Sequence, residues 1–436
     1  MTKFQSILAA SLLVGLTFTL SGCPDTPLLP GQETETNTGL TQDANGDPLD
    51  FTKLSEQEAA NYSDIAVGPD GTLHALFTEQ SKSLMRPQVY YRASRDGGQS
   101  WSETRNLLAE DPVSQAGFIR IAVDGEGRVY AFWKTYKGFD MVDPSGGNAG
   151  TLMLRVLENG SWSAASTLGT PGQVVSWFPA TAPDGRLHLV WNETIQQLDG
   201  DYASDWEAGR IRQASLQGPS LEAVRDIHRA KAVQLGSSNV YYYDGYKGLS
   251  GYVDERGAAH FSALKMPAGE KGTPTSPIEV VHFDGNAERT VMPVAALEAV
   301  LKPITRTPPQ LLRDAQGREH LLVLRQNADR PALLDIDPAS PESPTTIYQL
   351  GSSKGDIRGF QVTQSRDGQL AALIGLHDTG KSDARHDLYV ARLGNSGWGT
   401  ALNLTDNVAR ADFVQTRTSG STSFSQLTAY SAKYAA

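Results

Sequence analysis

The sequence predicts an all-β domain, and three observations carry that expectation. A short unit recurs along the chain: an apolar strand, a tight turn holding an acid and a glycine, then a second apolar strand. Its clearest copies are DIAVGPDGTLHALFTE from Asp64, RIAVDGEGRVYAFWK from Arg120 and FPATAPDGRLHLVWNE from Phe178. Weaker copies are SGYVDERGAAHFSALK, QLLRDAQGREHLLVLR and QVTQSRDGQLAALIGLH. The alternation suits strands buried among others, and the glycine supplies the positive φ that such a turn needs. Two further strand-like runs follow most copies, for example VYYRA with ETRNLL and TLMLRVL with AASTL. Helical periodicity is weak throughout, and no βαβ alternation occurs.

The turn glycines fall at Gly71, Gly127, Gly185, Gly257, Gly317 and Gly368. Four strands per unit, repeated at that spacing, point to a β-propeller of four-stranded blades. A degenerate seventh copy begins near Asp412, and Phe51-Thr52-Lys53-Leu54 reads as an outer strand ahead of the first copy. Together they would close the ring, so the count favours seven blades narrowly over six. Residues 51–436 are expected to form this single domain.

The two segments before it have other roles. Residues 1–22 open with Met1-Thr2-Lys3 and an apolar run from Ile7 to Leu20, too short to span a bilayer as a permanent helix. The run ends in Leu20-Ser21-Gly22-Cys23, which resembles the bacterial lipobox. That resemblance implies a lipoprotein signal peptide, a lipidated Cys23 and an exported body held at a membrane of the bacterial cell envelope. Cys23 is the only cysteine of 436 residues, so no internal disulfide is expected and the core must supply the stability. Residues 23–50, rich in Pro, Gly, Thr, Asn and acid, read as a flexible tether. A net charge of −11 without clustered Lys and Arg argues against nucleic acid as a partner.

The segment Ser94-Arg95-Asp96-Gly97-Gly98-Gln99-Ser100-Trp101 then becomes informative. It is similar to the Asp-box of the sialidase and BNR-repeat propellers, S/T-x-D-x-G-x-T/S-W, at all five defining positions. Worn forms stand at Glu158-Asn159-Gly160-Ser161-Trp162 and Gly394-Asn395-Ser396-Gly397-Trp398. Ser94 and Asp96 can bond the backbone of a tight turn, and Gly98 permits its dihedrals. Trp101 can cover apolar blade surface. The resemblance places this box on the rim away from the site, as a fold staple.

The same resemblance implies an arginine triad, a Tyr–Glu nucleophilic pair and an Asp acid/base. In a propeller the start of the innermost strand and the end of the second strand face the mouth. Aligned on the turn glycine, those positions hold Asp64, Arg120 and Phe178, and Glu79, Lys134, Glu193 and Arg325. Arg120-Ile121-Ala122 lacks the proline of the family's arginine motif, Arg325 is the second arginine, and no third is found. Asp64, Glu79 and Glu193 remain as carboxylates for a two-acid glycosidase, with Arg120 and Arg325 beside them.

His74, His188, His260 and His320 share one repeat position, which places them in different blades as packing residues and leaves no metal site. No cofactor is expected. The 200–248 stretch departs from the repeat and carries Trp206, Tyr241, Tyr242, Tyr243 and Tyr246. With Trp177 and Phe178 at the mouth, these are the aromatic candidates for stacking on a sugar or anchoring a protein. The reading is a lipid-anchored envelope propeller that binds a glycan or a protein partner. The alternative is a sialidase-like glycoside hydrolase acting on envelope or host glycans.

Overall fold

The computed structural model describes residue 54 and residues 60–80, 87–109, 115–136, 150–194, 209–229, 232–234, 241–243, 245–266, 279–292, 308–325, 330–350, 355–364, 369–378 and 385–403. They form six antiparallel blades in chain order. Blade 1 holds β1 (Ala60–Val67), β2 (Leu73–Gln80), β3 (Pro87–Ser94) and β4 (Arg105–Asn106). Blade 2 holds β5 (Gln115–Val123), β6 (Val129–Tyr136) and β7 (Thr151–Glu158). Its outer strand is split into β8 (Ser161–Trp162) and β9 (Ser166–Leu168). Blade 3 holds β10 (Val174–Thr181), β11 (Leu187–Thr194), β12 (Gly209–Gln217) and β13 (Ser220–Arg229). A ribbon of β14 (Ala232–Gln234) and β15 (Tyr241–Tyr243) precedes blade 4, which holds β16 (Gly245–Val253), β17 (Ala259–Met266), β18 (Glu279–Asp284) and β19 (Ala287–Met292). Blade 5 holds β20 (Gln310–Arg313), β21 (Glu319–Arg325), β22 (Ala332–Ile336) and β23 (Thr345–Gln349). Blade 6 holds β24 (Gly355–Gln364), β25 (Leu370–Asp378) and β26 (Arg385–Gly394), with its outer edge split into β27 (Gly397–Trp398) and β28 (Leu402–Asn403).

The first strand of every blade lines one central cavity, through Ile65, Ile121, Pro179, Val253, Arg313 and Gln364. That arrangement is a β-propeller with six four-stranded blades among the described residues. The seventh copy from Asp412, residues 1–22, the 23–50 tether, Cys23 and Trp206 lie outside the described residues. The 200–248 stretch is less exceptional than its spacing implies. Residues 209–229 are the ordinary third and fourth strands of blade 3, lengthened to nine and ten residues, and among the described residues the β14–β15 ribbon is the one addition.

Alternation explains where the core sits. Consecutive side chains of a strand point to opposite faces of its sheet, so each blade serves two apolar layers. On β10, Trp177 joins the layer with blade 2 and Phe178 the layer with blade 4. Five such layers join blades 1 through 6 in turn.

The turns that sequence spacing picked out are built alike. In blade 2 Gly127 sits at φ 83° and donates to the carbonyl of Asp124, a conformation costly for any residue with a Cβ. The Asp124 carboxylate accepts from the amides of Glu126 and Arg128 at 3.0 and 2.9 Å. Asp254 and Asp314 repeat the arrangement in blades 4 and 5.

Candidate functional site

The mouth is defined by irregular inner strands. The pairing of first and second strands slips near the start of five of them, between Ala60 and Ser63, Gly117 and Arg120, Val174 and Trp177, Lys247 and Ser250, and Ile357 and Gly359. The first strand of each blade is also the inner edge of its sheet, so half of its backbone groups have no partner in that sheet, and buried groups of that kind need other partners. Polar side chains from the preceding blade supply them. Asp64 Oδ2 accepts from the Ile121 amide at 3.0 Å, and Lys134 Nζ donates to the Val175 carbonyl at 2.8 Å. Asn192 donates to the Tyr246 carbonyl at 2.6 Å, and Ser262 to that of Pro309 at 3.3 Å. Gln310 donates to the Phe360 carbonyl at 3.1 Å and accepts from the Val362 amide at 2.9 Å. Each strap crosses one junction, from blade 1/2 to blade 5/6.

This reassigns several mouth candidates. Asp64 is 3% exposed and is the strap of the first junction. Glu79 is 2% exposed and lies opposite Ala60 and Gln88 in the sheet. Glu193 is fully buried. Its carboxylate accepts from the Trp191 indole and the Thr170 amide, both at 2.8 Å, and from Arg210 Nε and Nη2 at 3.0 and 2.8 Å. Arg212 lies 3.5 Å away. Burial pushes the Glu193 pKa up, but the Trp191, Thr170 and Arg210 bonds outweigh it and hold the group below the ordinary carboxylate range.

Arg120 and Arg325 come from different blades. Arg120, in blade 2, donates from Nη1 to the carbonyl of Ile119 at 3.0 Å. Arg325 ends β21 three blades on, across the axis, with a buried Nε that meets no acceptor among the described residues. The arginine pair that does form, Arg210 and Arg212, comes from the start of β12. Its only trace in the sequence is Arg-Ile-Arg, two cations on one face of a strand.

The aromatic candidates separate in the same way. Trp177 and Phe178 are packed between blades, and Phe178 lies 6.2 Å from Phe261 between ring centres. Lys134 Nζ, on a fully buried side chain, sits 5.6 Å from the Trp177 ring and 4.9 Å from that of Phe118. Phe118 occupies the blade-2 bulge at φ 48°, a strained conformation for an aromatic residue that nothing in the sequence announces. Tyr246 is fully buried at the start of β16. Its hydroxyl donates to Glu288 Oε2 at 2.8 Å and meets His228 Nε2 at 2.9 Å, while Lys265 Nζ pairs with Glu288 at 2.5 Å. Tyr241, Tyr242 and Tyr243 pair through their backbone with Gln234, Val233 and Ala232.

The opposite end of the axis carries the first turns and a cavity of about 820 Å³. The Ser94–Trp101 segment lies at this end, since Ser94 pairs with Leu73 at the start of β2. Ser94 Oγ donates to Asp96 Oδ1 at 2.8 Å and accepts from the Gly98 amide at 2.8 Å, and Trp101 Nε1 donates to the Gly98 carbonyl at 3.0 Å. The Ser100 hydroxyl and amide, with Ser94, hold the Asp96 carboxyl well below its usual range. The four repeat histidines each find a partner in their own blade. His74 meets the Tyr91 hydroxyl at 2.7 Å, His188 Gln213 at 3.4 Å, His260 Asp254 at 3.3 Å and His320 Asp335 at 2.7 Å.

No family model matches the chain, and no curated protein matches it either. Solved structures do. An α-L-arabinanase of Penicillium chrysogenum complexed with arabinobiose is 12% identical, with a TM-score of 0.44 over 80% of this chain and 94% of that one. A protein of unknown function from Dyadobacter fermentans is 12% identical, with a TM-score of 0.45 over 76% and 93%. The polysaccharide lyase Uly1 is 14% identical, with a TM-score of 0.45 over 78% and 77%.

Proposed function

We propose that this chain is a lipid-anchored propeller of the bacterial cell envelope that binds a glycan or an envelope protein at its mouth and does not turn it over. The observation that carries this reading is the commitment of the mouth-side acids. Asp64 holds the backbone of the next blade, and Glu193 is enclosed by Trp191, Thr170 and two arginines. Two-acid glycoside hydrolysis needs carboxyl groups that face the sugar about 5–9.5 Å apart, one of them free to change protonation state. A carboxylate saturated by donors and held ionised does not serve as that acid.

The test uses the full chain in detergent. A glycan array and a panel of aryl glycosides, sialosides included, are expected to show retention without release of the aryl group. Turnover that disappears on Arg120→Ala or Glu79→Gln would overturn the binding reading. For the anchor, the protein from cells fed labelled palmitate is expected to carry label, and Cys23→Ser to lose both the label and the membrane fraction.

A further inference from the structure

The cavity at the turn end of the axis has walls of two kinds. Blades 1 to 3 contribute apolar groups, among them Val67, Pro69, Val123 and Pro183, while blades 4 to 6 contribute Tyr252, Arg313 and Gln364. One repeat position accounts for much of that difference. Four residues before the turn glycine stand Val67, Val123, Thr181 and Val253, but Arg313 in blade 5 and Gln364 in blade 6. The apolar side is locked in place. The Gly125 amide donates to the Gly185 carbonyl at 2.8 Å, and a Cβ on Gly125 would lie 2.7 Å from the Gly185 Cα. Thr181 Oγ1 donates to the Val123 carbonyl at 2.8 Å. A wall fixed beforehand need not be ordered when a ligand binds.

Three of the described lining residues are charged, and they differ in what remains open. The Asp124 carboxylate accepts from the Glu126 and Arg128 amides, from Arg128 Nε at 2.6 Å and from the Tyr130 hydroxyl at 3.0 Å. That of Asp314 accepts from the Gln316 and Arg318 amides and from Arg318 Nε at 2.7 Å, with His320 Nε2 at 3.2 Å. Both acids are buried against their own turns. Arg313 is not saturated. Its Nε donates to the Gly317 carbonyl at 3.1 Å and its Nη1 lies 3.5 Å from Glu255 Oε2, while Nη2 meets no acceptor among the described residues. The Glu255 pair is open to water, at 38% and 66% exposure, and such pairs contribute little and exchange readily. The backbone beneath is held, since Gln364 Nε2 donates to the Arg313 carbonyl. The guanidinium carbon stands 5.9 Å from the centre of the Tyr252 ring.

We infer that this cavity is a second binding site, for a small amphipathic carboxylate. Its apolar body lies along the axis against the wall of blades 1 to 3, and its carboxylate sits at Arg313. A guanidinium edge takes a carboxylate in two parallel bonds, and Nη1 and Nη2 offer that edge once Glu255 is displaced. At about 820 Å³ the space suits a molecule of that kind. The site lies at the opposite end of the axis from the mouth, so it stands or falls independently of what the mouth binds.

Equilibrium dialysis of the full chain against 2-naphthoate is expected to show one saturable site per chain. The uncharged 2-naphthamide is expected to bind at least about tenfold more weakly, as is 2-naphthoate to Arg313→Gln. Ala315→Trp, at an exposed lining position of the blade-5 turn, is expected to abolish uptake by filling the entrance. Arg186→Gln removes an exposed charge from the blade-3 turn outside the lining and is expected to change nothing. The comparison of the two probes uses the unmodified chain, so it decides the matter even where a variant fails to fold. Absence of a saturable site, equal binding of the amide, or uptake that survives Ala315→Trp overturns the proposal. So does an unchanged affinity in Arg313→Gln or an equal loss in Arg186→Gln.

Discussion

The two ends of the propeller axis solve different problems. At the turn end every blade must reverse direction between its first two strands. Gly127, Gly257 and Gly317 all do so at positive φ, each with an aspartate capping the turn. At the mouth end, five junctions must satisfy backbone groups on the inner edge of a blade, and the straps differ: Asp64, Lys134, Asn192, Ser262 and Gln310. A backbone turn has few solutions, so it repeats. A carbonyl or amide on that edge is satisfied by any donor or acceptor of the right reach, so those positions drift. Repetition therefore marks scaffold here, while the irregular end is where residues can diverge toward a ligand.

Breaking the mouth end is expected to cost most. Glu193→Gln leaves Arg210 and Arg212, 33% and 22% exposed, facing a neutral group, and loss of hydrogen bonds to a charged group typically costs about 1.5–3 kcal/mol. Chemical denaturation of the full chain should show that loss; a change under about 1 kcal/mol would mean the carboxylate is not a structural anchor. At the turn end the penalty is smaller and the same from blade to blade. Gly127→Ala has room for its Cβ, whose nearest neighbour would be 3.8 Å away, so only the left-handed backbone resists, at about 1–2 kcal/mol. Gly257→Ala is expected to match it, and unequal costs would contradict the idea of one repeated turn.

The smallest effect sharpens the comparison within a single repeat position. Burial pushes His74 down to about 4. The unfolded chain therefore binds a proton near pH 6.5 that the folded one refuses, and this contribution to stability falls as pH drops from 6.5 toward 4. Burial also opposes charging of His320, but Asp335 and Asp314 outweigh it and raise its pKa. Its contribution is complete below 6.5 and is lost as pH rises through the higher folded value. Between pH 7 and 6 either slope amounts to less than about 1 kcal/mol. Comparison with the parent chain by denaturation at both values should show His74→Phe losing less stability on acidification and His320→Gln losing more. Slopes of one sign would sink the contrast.

These contrasts also explain what could be read early. The blade count within residues 60–403, the described turn glycines and the Ser94–Trp101 staple were legible because each rests on contacts a few residues apart. Ser94, Asp96, Gly98 and Trp101 bond one another within eight positions. Glu193 was legible only as a mouth-side acid. Beside Trp191, two positions away, its partners are Thr170, 23 positions earlier, and Arg210, 17 later, so the local pattern does not distinguish an anchored carboxylate from a free one. Tyr246 grouped with its neighbours Tyr241–Tyr243 by sequence, yet β16 carries it into the layer beneath blade 3.

By itself the sequence determined strand, turn and period, because φ preferences and side-chain alternation act within a few residues. Only the tertiary structure decided which mouth residues are occupied, because that depends on which blade lies next to which. Asp64 became a strap when the Ile121 amide, 57 positions away, was brought within 3.0 Å of it, and no pattern along the chain encodes that distance.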